Sequence, residues 1–539
     1  MNNKKLVYTF ILILAAALII RIFVAVHTRI PVADSGDYLE IAANLARGNG
    51  YQISTWWTYY GSYPSDLMHP DASRQPLFPC LLSIYFWIFK PSFRIVQAVN
   101  ITFGLLNILL IFLIGNRFFG RPAGLTAAFI TAFNAAQIWF STQAYAESMF
   151  TFIFYLLIWY FLTHPENNRK TYFIIGVLTG LLILTRLNGF LIFIAAVISM
   201  ILRQNKNRKN IFQLIIIIAF GVLIIVSPWL IRNISTFNNP LKTDGGYMNW
   251  VDSFQEMQGF HFNPPGLKTY IETHTIKQML FRYLKGIARS IRGIEIGNQG
   301  YHDPYPQGSF ALFFFFSIIT ILYQENKKPF LIVYISFIIH FIFISWTLLG
   351  IFRYFIYFYP LMILWGINGI LITSKILYVH FANFKRQKTI VNGITVILLF
   401  LAVSTSIQPL ITILKRDDLT DYSQLMECIN WVQSNTSESD VIIDFPVFIE
   451  MNFIYNRGTI VVPSGPLDNL IKAINIFDAR FMVISSELLE MRPEYTDFFS
   501  YDTDQKLFEV NKPIFMDKVF ESTNRRFVIY RIDKTKMEI

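Results

Sequence analysis

The chain has 539 residues, of which 54% are hydrophobic, 17% aromatic and only 15% charged, with a mean hydropathy of +0.43. A soluble core cannot take up that much apolar surface, so composition excludes a soluble globular protein and implies a polytopic membrane protein. The net charge of +11 does not point to nucleic acid, because Lys and Arg fall in short loops between apolar segments, where they orient the chain and meet anionic membrane lipids.

Lys4 and Lys5 precede an apolar run that continues to about Val26 with no small-residue cleavage site, which reads as an uncleaved signal anchor. Arg21 interrupts the run, and either snorkels to the outer interface or faces the protein interior. The stretch from Asp34 to Tyr51 follows directly. Asp37 with Glu40 reads as a capping box, Tyr38, Ile41, Ala42 and Leu45 recur at helical spacing, and Gly48 supplies a stop. This predicts a short amphipathic helix lying on the bilayer surface. Asp34 stands just before it on irregular backbone, with a carboxylate free to face a cavity. Pro76 to Phe89 is apolar and aromatic but too short to span comfortably, and reads as an interfacial or re-entrant helix.

Crossing a hydrocarbon core takes roughly 20 apolar residues. On that measure eleven spans are expected, at about 6–26, 93–115, 122–139, 147–163, 171–186, 188–202, 211–231, 309–323, 330–348, 353–373 and 390–411. Arg117 and Arg121, Arg169 and Lys170, Arg203 to Lys209, Lys327 and Lys328, and Lys385 to Lys388 all fall in alternate loops, while the turns near 140–146 and 348–352 carry no Lys or Arg. Every short loop therefore votes for a cytoplasmic N-terminus and an external C-terminus.

Three regions remain outside: 27–92, 232–308 and 412–539. The last changes character. Helical periodicity at 421–433 gives way to Val441–Asp444, a helical 447–455, Thr459–Val462, a helical 466–476, Arg480–Ile484 and Arg526–Tyr530. Alternating strands and helices imply a small extracytoplasmic α/β domain over 412–539, beside a membrane domain over 1–411. It holds no Gly-rich phosphate loop and no nucleophile motif. Cys80 and Cys428 form neither a metal spacing nor a disulfide framework. His69, His261 and His302 lack ligand spacing, which speaks against zinc.

A charge beside hydrocarbon is costly unless it is paired or used. Asp34 is the first candidate. Glu147 opens the fourth span, where a helix N-terminus also favours a carboxylate. Arg74, Arg186, Arg232 and Arg353 all lie at the outer interface, against the positive-inside bias. Four such arginines with two carboxylates suggest a site for an anion, and the planar guanidinium suits phosphate. Gly245 and Gly246 mark a turn in the second outer loop.

Asp34 running into Tyr38-Leu-x-Ile-Ala-x-Asn-Leu-Ala-x-Gly-x-Gly-Tyr51, then Arg74-Gln-Pro-Leu-Phe-Pro79, Glu147, Thr185-Arg186-Leu-Asn-Gly189, Pro228-Trp-Leu-Ile-Arg-Asn233 with Gly245-Gly246, and Arg353-Tyr354 with Pro360, form an ordered series. The series resembles the bacterial GT-C superfamily of polytopic glycosyltransferases, in the branch of protein O-mannosyltransferases and the lipid A aminoarabinose transferase. The resemblance covers roughly residues 1–411 and more loosely the outer domain. It implies a GT-C membrane fold in the bacterial plasma membrane and a donor made of a sugar on a polyprenyl phosphate. The sugar would pass, with inversion, to a hydroxyl of a lipid, glycan or protein acceptor on the outer face.

In that reading Asp34 is the general base and Glu147 orients acceptor or base. Arg74 and Arg186 hold the donor phosphate, Arg353 and Arg232 give further phosphate or structural support, and Tyr38 and Tyr354 complete the substrate site. Ser35 follows Asp34 where the family often has Asp-Glu, which puts in doubt shared binding of a divalent metal by a second carboxylate there; a divalent metal stays open, and no nucleotide is implied. Two other functions compete. A flippase or transporter of lipid-linked sugars would need ionisable or helix-breaking groups near mid-span, whereas the charges here cluster at the outer edge. A receptor would place its function in the C-terminal domain.

Overall fold

A computed structural model describes residues 3–31, 34–57, 59–60, 67–164, 168–203, 208–253, 256, 259–261, 265–296, 309–347, 352–381, 386–414, 419–444 and 457–537. The membrane part is helical, with α1 (Asn3–His27), α2 (Ser35–Ala46), α3 (Leu77–Phe89), α4 (Phe93–Phe118), α5 (Arg121–Phe133), α6 (Ala135–Thr142), α7 (Glu147–Thr163), α8 (Arg169–Thr185), α9 (Gly189–Arg203) and α10 (Arg208–Phe237). After them come α11 (Leu267–Thr273), α12 (Ile276–Ile296), α13 (Ser309–Tyr323), α14 (Leu331–Trp346), α15 (Tyr359–His380) and α16 (Gln387–Leu414). Each expected span coincides with a helix or a helix pair. Among the described residues six helices are long and apolar enough to cross a membrane, seven spans counting the bent pair α5–α6 as one, and α7, α8, α9 and α13 are shorter at 15–17 residues.

Two spans differ from expectation. The third is broken: α5 and α6 meet at Asn134 with a bend of 57°. Asn134 caps α6, its side chain accepting from the Gln137 amide at 3.1 Å. Arg21 is buried and donates through Nη1 to the Ala17 carbonyl at 3.1 Å and the Ala132 carbonyl at 2.9 Å, so it faces the protein and satisfies a backbone group at the end of α5. The tenth span starts late, because residues 352–355 form a 3-10 turn and α15 begins at Tyr359.

Small residues let helices approach closely. A Cβ on Gly176 of α8 would stand 2.2 Å from the Ile218 carbonyl oxygen, and one on Gly221 of α10 would stand 2.6 Å from that of Phe173. Only glycine lets these backbones touch.

Helix α2 is not a surface helix. Ser35 to Asn44 are buried, and Tyr38, Leu39, Ala42 and Ala43 join one continuous core with Phe78, Leu82 and Phe86 of α3 and with α4 to α7. The capping box is likewise absent: Asp34 occupies the N-cap without a side-chain bond to the helix amides, Asp37 reaches Arg74, and Glu40 accepts from Ser54. Gly48 does end the helix, at a φ of +83°.

After α16 come α17 (Leu419–Asn435), β6 (Val441–Asp444), β7 (Gly458–Val461), α18 (Leu467–Phe477), β8 (Ala479–Ser485), α19 (Ser486–Met491), β9 (Phe499–Tyr501), β10 (Leu507–Glu509), β11 (Met516–Glu521) and β12 (Phe527–Ile532). The helix expected at 447–455 lies outside the described residues. The segment between α2 and α3 adds β1 (Gln52–Ile53), β2 (Thr55–Trp56), β3 (Tyr59–Tyr60) and β4 (His69–Pro70), and that between α10 and α11 adds β5 (Phe260–His261). One six-stranded sheet runs β11-β12-β8-β6-β7-β2, so its edge strand comes from the segment between α2 and α3, with Thr55 opposite Thr459 in parallel register. The Tyr59 hydroxyl donates to the Val461 carbonyl and strengthens the seam. The C-terminal sheet therefore braces the loop that joins α2 to Arg74.

Candidate active site

Helix ends and the segments that join them converge on five charged residues. Asp34 stands at the head of α2, and Arg74 lies between β4 and α3. The Arg74 backbone is fixed by Asp71, whose carboxylate accepts from the Ser73 amide at 3.1 Å, the Ser73 hydroxyl at 2.5 Å and the Arg74 amide at 2.9 Å. Tyr51 adds a hydrogen bond from its hydroxyl to the Arg74 carbonyl at 3.0 Å. The Arg74 side chain then forks: Nη2 lies 2.9 Å from Asp34 Oδ1, while Nε and Nη2 lie 2.8 and 2.6 Å from Asp37 Oδ2.

Glu147 opens α7 and is almost fully buried. A polar row on α4 holds the turn before it. Gln97 donates to the Thr142 carbonyl at 3.0 Å, Asn100 to the carbonyls of Gln143 and Tyr145 at 2.6 and 2.9 Å, and Asn107 to that of Ser148 at 3.1 Å. Glu147 Oε1 meets Arg186 Nη1 at 2.5 Å and also Arg353 Nε, while Oε2 has no hydrogen-bond partner among the described residues. Arg186 sits where α8 ends.

Arg353 joins the two carboxylates, since its Nη2 stands 2.7 Å from Asp34 Oδ2 while its Nε faces Glu147. Its segment is pinned from below. Gln137 donates to the Ile356 carbonyl at 3.1 Å, the Tyr155 hydroxyl to the Tyr357 carbonyl at 2.8 Å, and Asn188 to the Tyr357 hydroxyl at 3.0 Å. Tyr38 lies under Arg74, with the guanidinium 5.6 Å from its ring centre, and Tyr354 under Arg186 at 5.5 Å.

Burial alone would raise the Asp34 carboxyl, but Arg353, Arg74 and Arg186 outweigh it and hold the group well below the usual carboxylate range. Asp37 goes the other way. Burial dominates there, and its carboxyl is raised to about 6 despite Arg74, with Asp34 and Asp71 adding to the rise.

Arg232 is not part of this cluster. Its guanidinium packs on the rings of Trp229, Phe237 and Tyr51 at 4.7, 4.9 and 5.3 Å and donates to the Tyr51 carbonyl at 3.1 Å. It supports the Tyr51 end of the loop rather than facing the carboxylates.

The sequence model of the dolichyl-phosphate-mannose-protein mannosyltransferase family matches residues 69–231, a stretch that includes Arg74, Glu147 and Arg186. No curated protein matches the chain in sequence. Among solved structures, ArnT from Cupriavidus metallidurans bound to undecaprenyl phosphate superposes with a TM-score of 0.58 at 13% identity, over 97% of each chain. The apo oligosaccharyltransferase of Archaeoglobus fulgidus gives 0.58 at 14% identity, over 94% of this chain and 74% of that one. AglB from the same archaeon, in complex with an inhibitory peptide and a dolichol-phosphate, gives 0.57 at 15% identity, over 95% of this chain and 75% of that one. The fold is that of the GT-C glycosyltransferases.

Within this GT-C fold the structure brings together Asp34, Arg74, Glu147, Arg186 and Arg353, flanks them with Tyr38 and Tyr354, and sets Arg232 apart. Reading the sequence missed Asp37 and Asp71 as partners of Arg74. A signal for Asp37 existed: three residues after Asp34, it lies on the same helical side one turn on.

A divalent metal does not fit. Among the described residues no three His, Cys, Asp or Glu could hold a metal ion, and Asp34, Asp37 and Glu147 already face guanidiniums. A dication here would meet the fixed positive charges of Arg74, Arg186 and Arg353.

Proposed function

We propose that the chain is a membrane glycosyltransferase that moves a sugar from a polyprenyl-phosphate donor to a hydroxyl acceptor, a lipid, glycan or protein, on the outer face of the bacterial plasma membrane. The observation that carries this reading is the continuous line of ion pairs Arg74–Asp34–Arg353–Glu147–Arg186. Arg74 and Arg353 pair directly with Asp34, and Arg186 joins them through Glu147. The polyprenyl phosphate held by ArnT and the dolichol-phosphate held by AglB support a lipid-linked donor.

In this reaction the acceptor oxygen attacks the anomeric carbon on the face opposite the phosphate. The C–O bond to phosphate breaks, and the acceptor proton passes to an Asp34 carboxylate oxygen. The released polyprenyl phosphate keeps the bonding pair, and Arg74, Arg186 and Arg353 stabilise its charge. Clamped by Arg74 and Arg353, Asp34 is a weak base in the empty site. A donor phosphate competes for the same guanidiniums and so raises the proton affinity of Asp34 at the moment a base is needed. Glu147 aligns Arg186 and Arg353, Tyr38 and Tyr354 carry the planes of Arg74 and Arg186, and Arg232 gives structural support through Tyr51.

The test is transfer of radiolabelled sugar from a panel of polyprenyl-phosphate donors in membranes containing the wild type or Asp34→Asn at equal folded amounts. Transfer by the wild type and a loss of at least a hundredfold in Asp34→Asn is the expected result. Equal rates would remove Asp34 from the role of base, and retention of anomeric configuration in the product would refute the single displacement.

A further inference from the structure

Asp37 belongs to none of the roles assigned above, yet it is the most deeply buried carboxylate around Arg74, at 0% exposure. Its Oδ2 takes two N–H groups of Arg74, and its Oδ1 accepts from Trp57 Nε1 at 3.4 Å. The charged groups that face it are Arg74 from the segment before α3, Asp34 from the head of α2 and Asp71 from the turn after β4. The ion pairs set Arg74, Arg186 and Arg353 against Asp34, Asp37 and Glu147, so the paired charges of the empty site already balance and Asp71 adds a further carboxylate beside them.

A phosphodiester entering this site adds one negative charge where screening by water is poor. Either a carboxylate moves out or a proton comes in. Asp37 cannot move out, because it sits mid-turn on a helix buried along most of its length. Its carboxyl already protonates at about 6 in the empty site, where the carboxyl of Asp34 stays ionised.

Resting on the donor reading above, we propose that Asp37 is a positioning residue of the phosphate site: it holds Arg74 in the empty enzyme and takes up one proton when the donor binds. The proton comes from solvent to an Asp37 carboxylate oxygen, and no covalent bond changes. Neutral Asp37 leaves the charge of Arg74 to the phosphate. The sign follows from linkage. Binding draws in a proton, so donor affinity is full at and below the free-site value of about 6 and falls by up to ~10-fold for each pH unit above it, until the proton affinity of the complex is exceeded.

The experiment uses the full chain in nanodiscs of uncharged lipid, titrated with undecaprenyl methyl phosphate. This phosphodiester carries a single charge that does not itself titrate near neutral pH. The wild type is expected to bind at least tenfold more weakly at about pH 8.5 than at about pH 6.5, with calorimetry in two buffers of different ionisation enthalpy counting close to one proton taken up at the higher pH. Asp37→Asn is expected to bind with a flat pH profile at the tight wild-type level and no proton uptake, whereas a merely structural role predicts weak binding at every pH. Asp37→Glu, which keeps an ionisable group, is expected to retain the slope.

A wild type that binds without proton uptake, or an Asp37→Asn variant that keeps the slope, overturns the proposal and leaves the donor reading standing. Failure of the phosphodiester to bind the wild type at any pH overturns both. The proton count on the wild type decides the matter even if Asp37→Asn does not fold.

Discussion

Glu147→Gln offers the sharpest test of the ion-pair line. The substitution keeps the shape of the side chain and removes its charge, leaving Arg186 and Arg353 facing one another where Glu147 Oε1 had contacted both. Glu147 is 1% exposed, so water cannot replace it. Breaking a buried pair by removing one partner costs about 3–5 kcal/mol. Arg353 keeps Asp34 at 2.7 Å and Arg186 is partly open to solvent, which places the loss near the lower end, at about 3 kcal/mol. If the misaligned arginines lose a comparable amount of their hold on the leaving phosphate in the transition state, kcat/KM falls by roughly 150-fold, at about 1.4 kcal/mol per factor of ten. Labelled-sugar transfer in membranes, normalised to folded protein, reads it directly. A Glu147→Gln variant that keeps more than half the wild-type kcat/KM would refute the view that this carboxylate aligns the phosphate-binding arginines.

Two further outcomes follow from the same geometry. Arg353→Lys keeps the charge but cannot reach Asp34 and Glu147 at once with one ammonium, so transfer is expected to fall at least ~10-fold with folding retained; an unchanged rate in the same assay would show that the fork is not used. Asn100→Leu removes two hydrogen bonds from the turn that presents Glu147 and should destabilise it by about 1–3 kcal/mol, seen as a lower unfolding temperature together with a raised donor KM. Loss of thermal stability with an unaltered KM would confine Asn100 to a structural role.

The membrane helices were legible because their signal is local: a run of apolar residues long enough to cross hydrocarbon is read from neighbours in the chain. The strands and helices around Val441, Thr459, Leu470 and Phe481 were legible for the same reason. The break at Asn134 was not, since the contact that accompanies it, Arg21 donating to the Ala132 carbonyl, joins groups 111 positions apart in the chain. Helix α2 was misread because its exposed-looking polar residues, Asp37 and Glu40, find partners in Arg74 and Ser54 that periodicity cannot reveal.

By itself the sequence determined that the chain is an apolar helical membrane protein with an α/β region at its C-terminal end, and it singled out Asp34, Arg74, Glu147, Arg186, Arg232 and Arg353 as charges too costly to leave beside hydrocarbon unpaired. Only the tertiary structure decided how they pair. It joined Glu147 to Arg353 across 206 positions, brought in Asp37, set Arg232 apart on its aromatic rings, and added strand β2 to the C-terminal sheet. The physical reason is that hydrophobic burial is encoded position by position along the chain, whereas an ion pair in a water-poor site is fixed by distance and angle, which exist only once the helices have packed.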